Sequence, residues 1–230
     1  HRDLHSFPTR RSSDLPWLGY FYKIHQSDIF VFLDDVQFSN QGMHNYHYIK
    51  TSQGPFRLKV PVQKKFKDNI NQIQVNYDLN WKDKHFKTLI ANYKRSPFFD
   101  EVYQDIQILY NADYENLACF NREIIEFICR KLGITTKFIN SSELTFQSAR
   151  EQKIIDICLA FGAKVYYSGT GAKSYQNEEN FKERGLELRY SGFKGFSYPQ
   201  LWDGFQSNVT IVDYLMNCGY DWQKVLSNQS

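Results

Sequence analysis

Ser148–Gly171, SAREQKIIDICLAFGAKVYYSGTG, reads as a helix over residues 148–161 stopped by Gly162, a short strand at Lys164–Tyr167, and a turn, Ser168-Gly-Thr-Gly171. Upstream, Leu117–Leu132 predicts the strongest helix of the chain. Phe120, Ile124, Ile125, Ile128 and Leu132 recur at helical spacing there, and Gly133 caps the end. Thr136–Asn140 follows as a strand; downstream, Asn177 caps a helix running to Arg184, and Leu186–Tyr190 is another strand. Helices alternating with short strands favour a mostly parallel sheet covered by helices, an α/β architecture.

Toward the N-terminus, Trp17–Gln26 predicts a short helix, and Asp28–Asp34 a buried strand that ends in two carboxylates. His47–Thr51 and Phe56–Val60 alternate apolar and polar residues across the turn Ser52-Gln-Gly-Pro55, an antiparallel hairpin annex to the sheet. Ile70–Val75 predicts a shorter strand. Trp81–Arg95 has helical spacing, with Phe86, Leu89, Ile90 and Tyr93 on one side, and must stop before Pro97. Helices are also expected over Asp100–Leu109 and Val209–Met216. No linker interrupts this order, so a single domain over residues 16–230 is expected.

Composition excludes several function classes. The 230 residues carry 28 Lys+Arg against 25 Asp+Glu, too even a balance for nucleic-acid binding, which clusters its basic residues. The longest apolar run, Ile29–Leu33, is far short of the ~20 residues that cross a bilayer. Cys119, Cys129, Cys158 and Cys218 show no metal or redox spacing and suit a reducing compartment.

The chemistry-bearing candidates lie at strand ends. Asp34 and Asp35 could bind a metal, position an amine or act as acid and base, although neighbouring residues on a strand point to opposite faces; a solvated strand end is the plainer reading. Ser168, Gly169 and Gly171 would let backbone N–H groups approach an anion, or simply turn the chain. His44 and His47 lack a third ligand in sequence, so a metal site is not expected. Trp81, His85, Thr88 and Asn92 form a polar stripe that could line a pocket. Tyr198-Pro-Gln200 with Trp202 and Phe205 makes an aromatic loop. Asp213 reads as a first-turn acid at the positive end of a helix dipole.

Pro16-Trp-Leu-Gly-Tyr-Phe21, Ser27-Asp28, Leu33-Asp-Asp-Val-Gln37, Gly42, Asn45, Trp81, Lys84-His85, Tyr93 and Ser96-Pro-Phe-Phe99 occur in this order. After them come Asn121, Leu132-Gly-Ile134, Ser168–Gly171, Tyr198-Pro-Gln200, Ile211-Val-Asp213 and Asn217-Cys-Gly219. This order resembles the WbqC-like family over nearly all of residues 16–219. Met43, Tyr46 and His47 depart from its pattern of Trp, Arg and Asn, so a basic contact does not carry over to Tyr46.

His1–Leu15, HRDLHSFPTRRSSDL, instead resembles the in-frame translation of a common sequencing adapter. It is expected to be non-native and disordered, standing where the family has its opening strand.

The family resemblance implies a cytoplasmic enzyme of O-antigen and other surface-polysaccharide synthesis. Its expected reaction is transfer of an acyl or aminoacyl group, glycine among them, to a nucleotide-linked sugar, with no cofactor specified. In this reading Asp34, Asp35 and His85 are catalytic. Gly19, Tyr20, Gln37, Asn45, Trp81, Lys84, Ser168, Gly169, Gly171, Tyr198 and Gln200 contact the substrate. Two alternatives remain: a non-catalytic sugar-nucleotide-binding accessory, and an enzyme like the nucleotidylyltransferases, whose Rossmann-like domains the opening order resembles.

Overall fold

The computed structural model describes residues 6–7, 9–10, 16–40, 42–174 and 176–229. The elements are β1 (Ser6–Phe7), β2 (Thr9–Arg10), α1 (Leu18–His25), β3 (Ile29–Phe32), β4 (Tyr46–Thr51), β5 (Gly54–Lys59), β6 (Val62–Gln63) and β7 (Gln74–Val75). Then follow α2 (Trp81–Tyr93), α3 (Phe99–Asn111), α4 (Leu117–Lys131), β8 (Lys137–Asn140), α5 (Arg150–Ala160), β9 (Val165–Ser168), α6 (Glu178–Lys182), β10 (Glu187–Tyr190), α7 (Ile211–Cys218) and α8 (Trp222–Ser227). This is a mixed α/β chain of helices and small sheets. None of the described helices is long and apolar enough to cross a membrane.

The chain divides into two compact units. Unit 1 comprises residues 1–11, 19–34 and 134–193. Its paired strands are all parallel, in two trios of order β2-β3-β8 and β1-β9-β10. The core strand β3 buries Phe30, Val31 and Phe32 almost completely, as a strand covered on both faces must. Phe32 stacks on Phe138 of β8 at 5.5 Å between ring centres. Beside β9, Ile155 and Cys158 of α5 pack with Tyr166, Phe181, Leu186 and Leu188. Gly162 ends α5 at φ +65, where a glycine stop is expected.

Ser6–Phe7 and Thr9–Arg10 are strand where the sequence reading expects disorder. A parallel ladder is built from backbone N–H and C=O groups and asks little of side-chain identity. The remaining positions of that expected disordered segment lie outside the described residues.

Unit 2 comprises residues 12–18, 35–133 and 194–230. The expected hairpin is present, in register from Tyr46↔Lys59 to Thr51↔Gly54, and Gly54 turns it at φ +100. Ile70–Val75 differs from its expectation: Ile70–Gln72 is a 3₁₀ turn, and only Gln74–Val75 is strand. The Gln72 side chain accepts the Asn69 N–H at 2.8 Å and folds that end of the segment back on itself. In α2 the buried row is Trp81, His85, Leu89 and Tyr93, whereas Ile90, expected inside, is 38% exposed. All eight residues of α7 are buried, an apolar helix with one acid in its first turn.

The end of α7 gives a stability test. Gly219 sits at φ +68, and a Cβ there would come within 2.9 Å of the Phe98 ring; at Gly133, φ +70, a Cβ would meet nothing within 4 Å. Gly133→Ala should cost about 1 kcal/mol in urea denaturation for the left-handed backbone alone. Gly219→Ala should cost about 2 kcal/mol or more, because the ring must also move. Equal costs would remove the Phe98 contact from the account.

Candidate functional site

A buried carboxylate organises unit 2. Asp213 has no exposed surface. Its Oδ1 accepts from Tyr198 Oη at 3.0 Å and from Gln200 Nε2 at 2.7 Å, and its Oδ2 accepts from Tyr93 Oη at 2.8 Å. Burial raises its carboxyl pKa above the ordinary value, against the pull of those three hydrogen bonds and the charge of Lys50. Tyr93 and Tyr198 are pushed upward too, first by burial and then by the acid beside them, so both remain donors.

Lys50 of β4, 3% exposed, ties a loop to the same place. Its Nζ donates to Trp202 O at 3.0 Å and also to Gly204 O, while its backbone N–H donates to Tyr93 Oη at 3.0 Å. The Gln200 side chain donates to Gln206 O at 3.0 Å and accepts the Gln206 N–H at 2.9 Å, closing the loop between them. Inside that closure Trp202 takes φ +67, and the Arg95 guanidinium lies 4.9 Å from its ring centre. Tyr198 and Gln200 are thus brought together, by an acid that sequence reasoning assigned to the helix dipole. The available signal was an Asp within an apolar helix, which has to find donors inside the protein.

His85 lies further along the buried row of α2. Its Nε2 is 3.2 Å from Lys59 O, its ring is 5.2 Å from that of Trp81 and 6.3 Å from that of His47, and among the described residues its Nδ1 has no partner. Burial, reinforced by His47, pushes its pKa down to about 3 despite the Lys59 carbonyl, so the ring is neutral at pH 7. A neutral imidazole here donates from Nε2 and offers Nδ1 as an acceptor.

Further candidates belong to unit 2. Asn45 clasps Val60, its Nδ2 donating to Val60 O at 2.7 Å while its carbonyl accepts the Val60 N–H at 2.8 Å. Gln37 is exposed and bridges Asn69 through the backbone; Lys84 is exposed on α2, and Asp35 is half-buried. His44 is buried, its carbonyl accepting from Asn121 Nδ2 at 2.9 Å. Among the described residues no three His, Cys, Asp or Glu side chains gather as metal ligands.

In unit 1, Asp34 is also buried. Its Oδ1 accepts from Ser142 N at 2.9 Å and from Ser141 Oγ at 3.2 Å, and its Oδ2 accepts from Ser142 Oγ at 2.6 Å. This joins the exit of β3 to the exit of β8. Ser168, at the end of β9, donates to Gln176 Oε1 at 2.8 Å. Gly169 has an ordinary φ of −76, and a Cβ on Gly171 would meet nothing within 4 Å. Gly19 and Tyr20 lie in α1; Tyr20 is 2% exposed with its ring 5.4 Å from Phe30, which makes it core.

The family model for the WbqC-like protein family matches residues 12–225. The uncharacterized protein Rv1507c of Mycobacterium tuberculosis (strain ATCC 25618 / H37Rv) is 33% identical over 213 residues, which cover 91% of this chain and 92% of that protein. No solved structure matches.

His85 gives a pH test. An imidazole whose folded pKa lies below its unfolded one adds stability above about pH 6.5 and loses it as the pH falls toward the folded value near 3. The opposite contribution of Asp213, lost as the pH rises through its raised pKa, is common to wild type and His85→Gln. The stability difference between the two proteins should therefore shrink by roughly 1.4 kcal/mol per pH unit below 6.5. Urea titrations at successive pH values check this; a difference independent of pH would show that the ring titrates normally.

Proposed function

The chain belongs to the WbqC-like protein family, and from that premise we propose that it transfers an acyl or aminoacyl group, such as glycyl, to the amine of a nucleotide-linked sugar. The family name is linked to polysaccharide biosynthesis, and the proposed setting is the cytoplasmic stage of surface-polysaccharide assembly. The single observation that carries the reading is the common direction of the strands in unit 1. Asp34 after β3, Ser141 and Ser142 after β8, and Ser168–Gly171 after β9 all leave at carboxyl ends of parallel strands, where α/β proteins bind ligands.

In this reading the two trios form one Rossmann-like sheet of order β10-β9-(β1, β2)-β3-β8, with only residue 8 separating β1 from β2. The turn at Gly169 and Gly171 receives phosphate oxygens, since neither glycine is needed for its own backbone conformation. The sugar amine attacks the acyl carbon as the bond to the donor's leaving group breaks. The amine proton moves to Ser142 Oγ while the Ser142 proton passes to Asp34 Oδ2, 2.6 Å away. A sugar-nucleotide-binding accessory role is the second reading. It is favoured by the full hydrogen bonding of the Asp34 carboxylate and the neutrality of His85.

The test incubates the full chain with nucleoside-diphosphate amino sugars and activated acyl or aminoacyl donors, with products read by mass spectrometry. The expected product is an N-acylated sugar nucleotide. Ser142→Ala should lower kcat by about 100-fold. Gly171→Ala should raise KM about 10-fold with an unchanged unfolding midpoint, because a Cβ there touches no other part of the protein. Binding without turnover would select the accessory role, and absence of both would refute both readings.

A further inference from the structure

The nearly balanced net charge conceals a strongly basic segment. Between Arg57 and Lys67 the chain carries Arg57, Lys59, Lys64, Lys65 and Lys67, all exposed, and no acid. The segment includes part of β5, all of β6 and the loop after it. At the loop tip stands Phe66, 88% exposed, more than any other large apolar side chain among the described residues.

This tip is held in place. Asp68, the first acid after the segment, accepts the Lys65 N–H on Oδ2 at 2.5 Å, and its own carbonyl accepts the Phe38 N–H at 2.9 Å. Lys64 Nζ donates to Asn40 Oδ1 at 2.8 Å and sits 4.9 Å from the Phe38 ring centre. Lys67 takes φ +67, an uncommon backbone for a lysine, and its Nζ lies 5.4 Å from the Phe66 ring centre. The ring is thereby presented to solvent with an ammonium beside it.

We propose that the 57–67 segment docks unit 2 on an anionic lipid bilayer, with Phe66 entering the interfacial region and the basic side chains contacting headgroup phosphates. A soft surface accommodates a protruding ring without any shaped pocket, and lysine stems bury against acyl chains while their heads remain at the polar boundary. The cations favour anionic over neutral lipid, and the ring contributes a part that salt does not screen. Nucleic acid would use the same cations, and the experiment separates it from lipid.

The experiment sediments the full chain with vesicles of phosphatidylcholine alone and of equimolar phosphatidylcholine and phosphatidylglycerol. Binding is expected on the mixed vesicles only, weakening as sodium chloride is raised. Phe66→Ala should reduce partitioning about 10-fold. Lys64→Gln and Lys65→Gln should each reduce it about 5-fold. Phe66→Trp should gain a blue-shifted emission on the mixed vesicles that brominated phosphatidylglycerol quenches, a readout of depth independent of any loss of fold. Three results would each overturn the proposal: equal binding to neutral vesicles, unchanged binding of Phe66→Ala, or an emission of the Phe66→Trp protein that lipid does not alter. Release by polyuridylate with no dependence on Phe66 would reassign the surface to polyanions.

Discussion

A carboxylate placed where water does not reach must be solvated by the protein itself, and unit 2 is arranged around one such acid. Asp213 draws donors from α2 and from the loop after residue 197, while Lys50 of β4 adds charge and holds the far side of the same loop. Removing any one donor would leave a buried acceptor short of a partner, which costs more than a satisfied hydrogen bond contributes. The network therefore specifies a geometry: helix, hairpin and loop can satisfy the acid in one arrangement.

Unit 1 meets the same problem at Asp34 with different donors. A backbone N–H and two serine hydroxyls at the start of a 3₁₀ turn replace tyrosines and an amide. Small donors near the chain surface leave Ser142 exposed, whereas Asp213 has no exposed surface behind its two tyrosines and its amide. The first arrangement leaves one hydroxyl of its network at the surface, and the second holds a loop from within. This contrast is why the proposal assigns its chemistry to Asp34 and Ser142.

Features decided within a few residues were legible in the sequence. The glycine stops at Gly133 and Gly162, the hairpin turn at Gly54 and the Asn177 cap require only local backbone geometry. Features decided by a distant partner were not. The buried row of α2 follows from Tyr93 accepting the Lys50 N–H and from His85 meeting the Lys59 carbonyl, and no count of apolar residues along the helix reveals either. Asp213 resembled a dipole acid because its donors lie 120, 15 and 13 residues away. The basic segment was hidden by summation: 25 acids spread over the chain cancel most of its charge.

His85 shows how burial chooses between chemistry and support. The Lys59 carbonyl ends β5 beside α2 and needs a donor, and a neutral imidazole supplies an N–H within an aromatic setting formed by Trp81 and Tyr110. A phenylalanine there would leave the carbonyl unpaired, and a lysine would bring in a charge that burial penalises. The desolvation that makes the ring a dependable donor also lowers its pKa to about 3, too far from neutrality for efficient proton transfer at pH 7. In the proposed reading the proton therefore passes through an exposed hydroxyl bonded to a buried acid, Ser142 on Asp34, while the sealed His85 ring serves the Lys59 carbonyl.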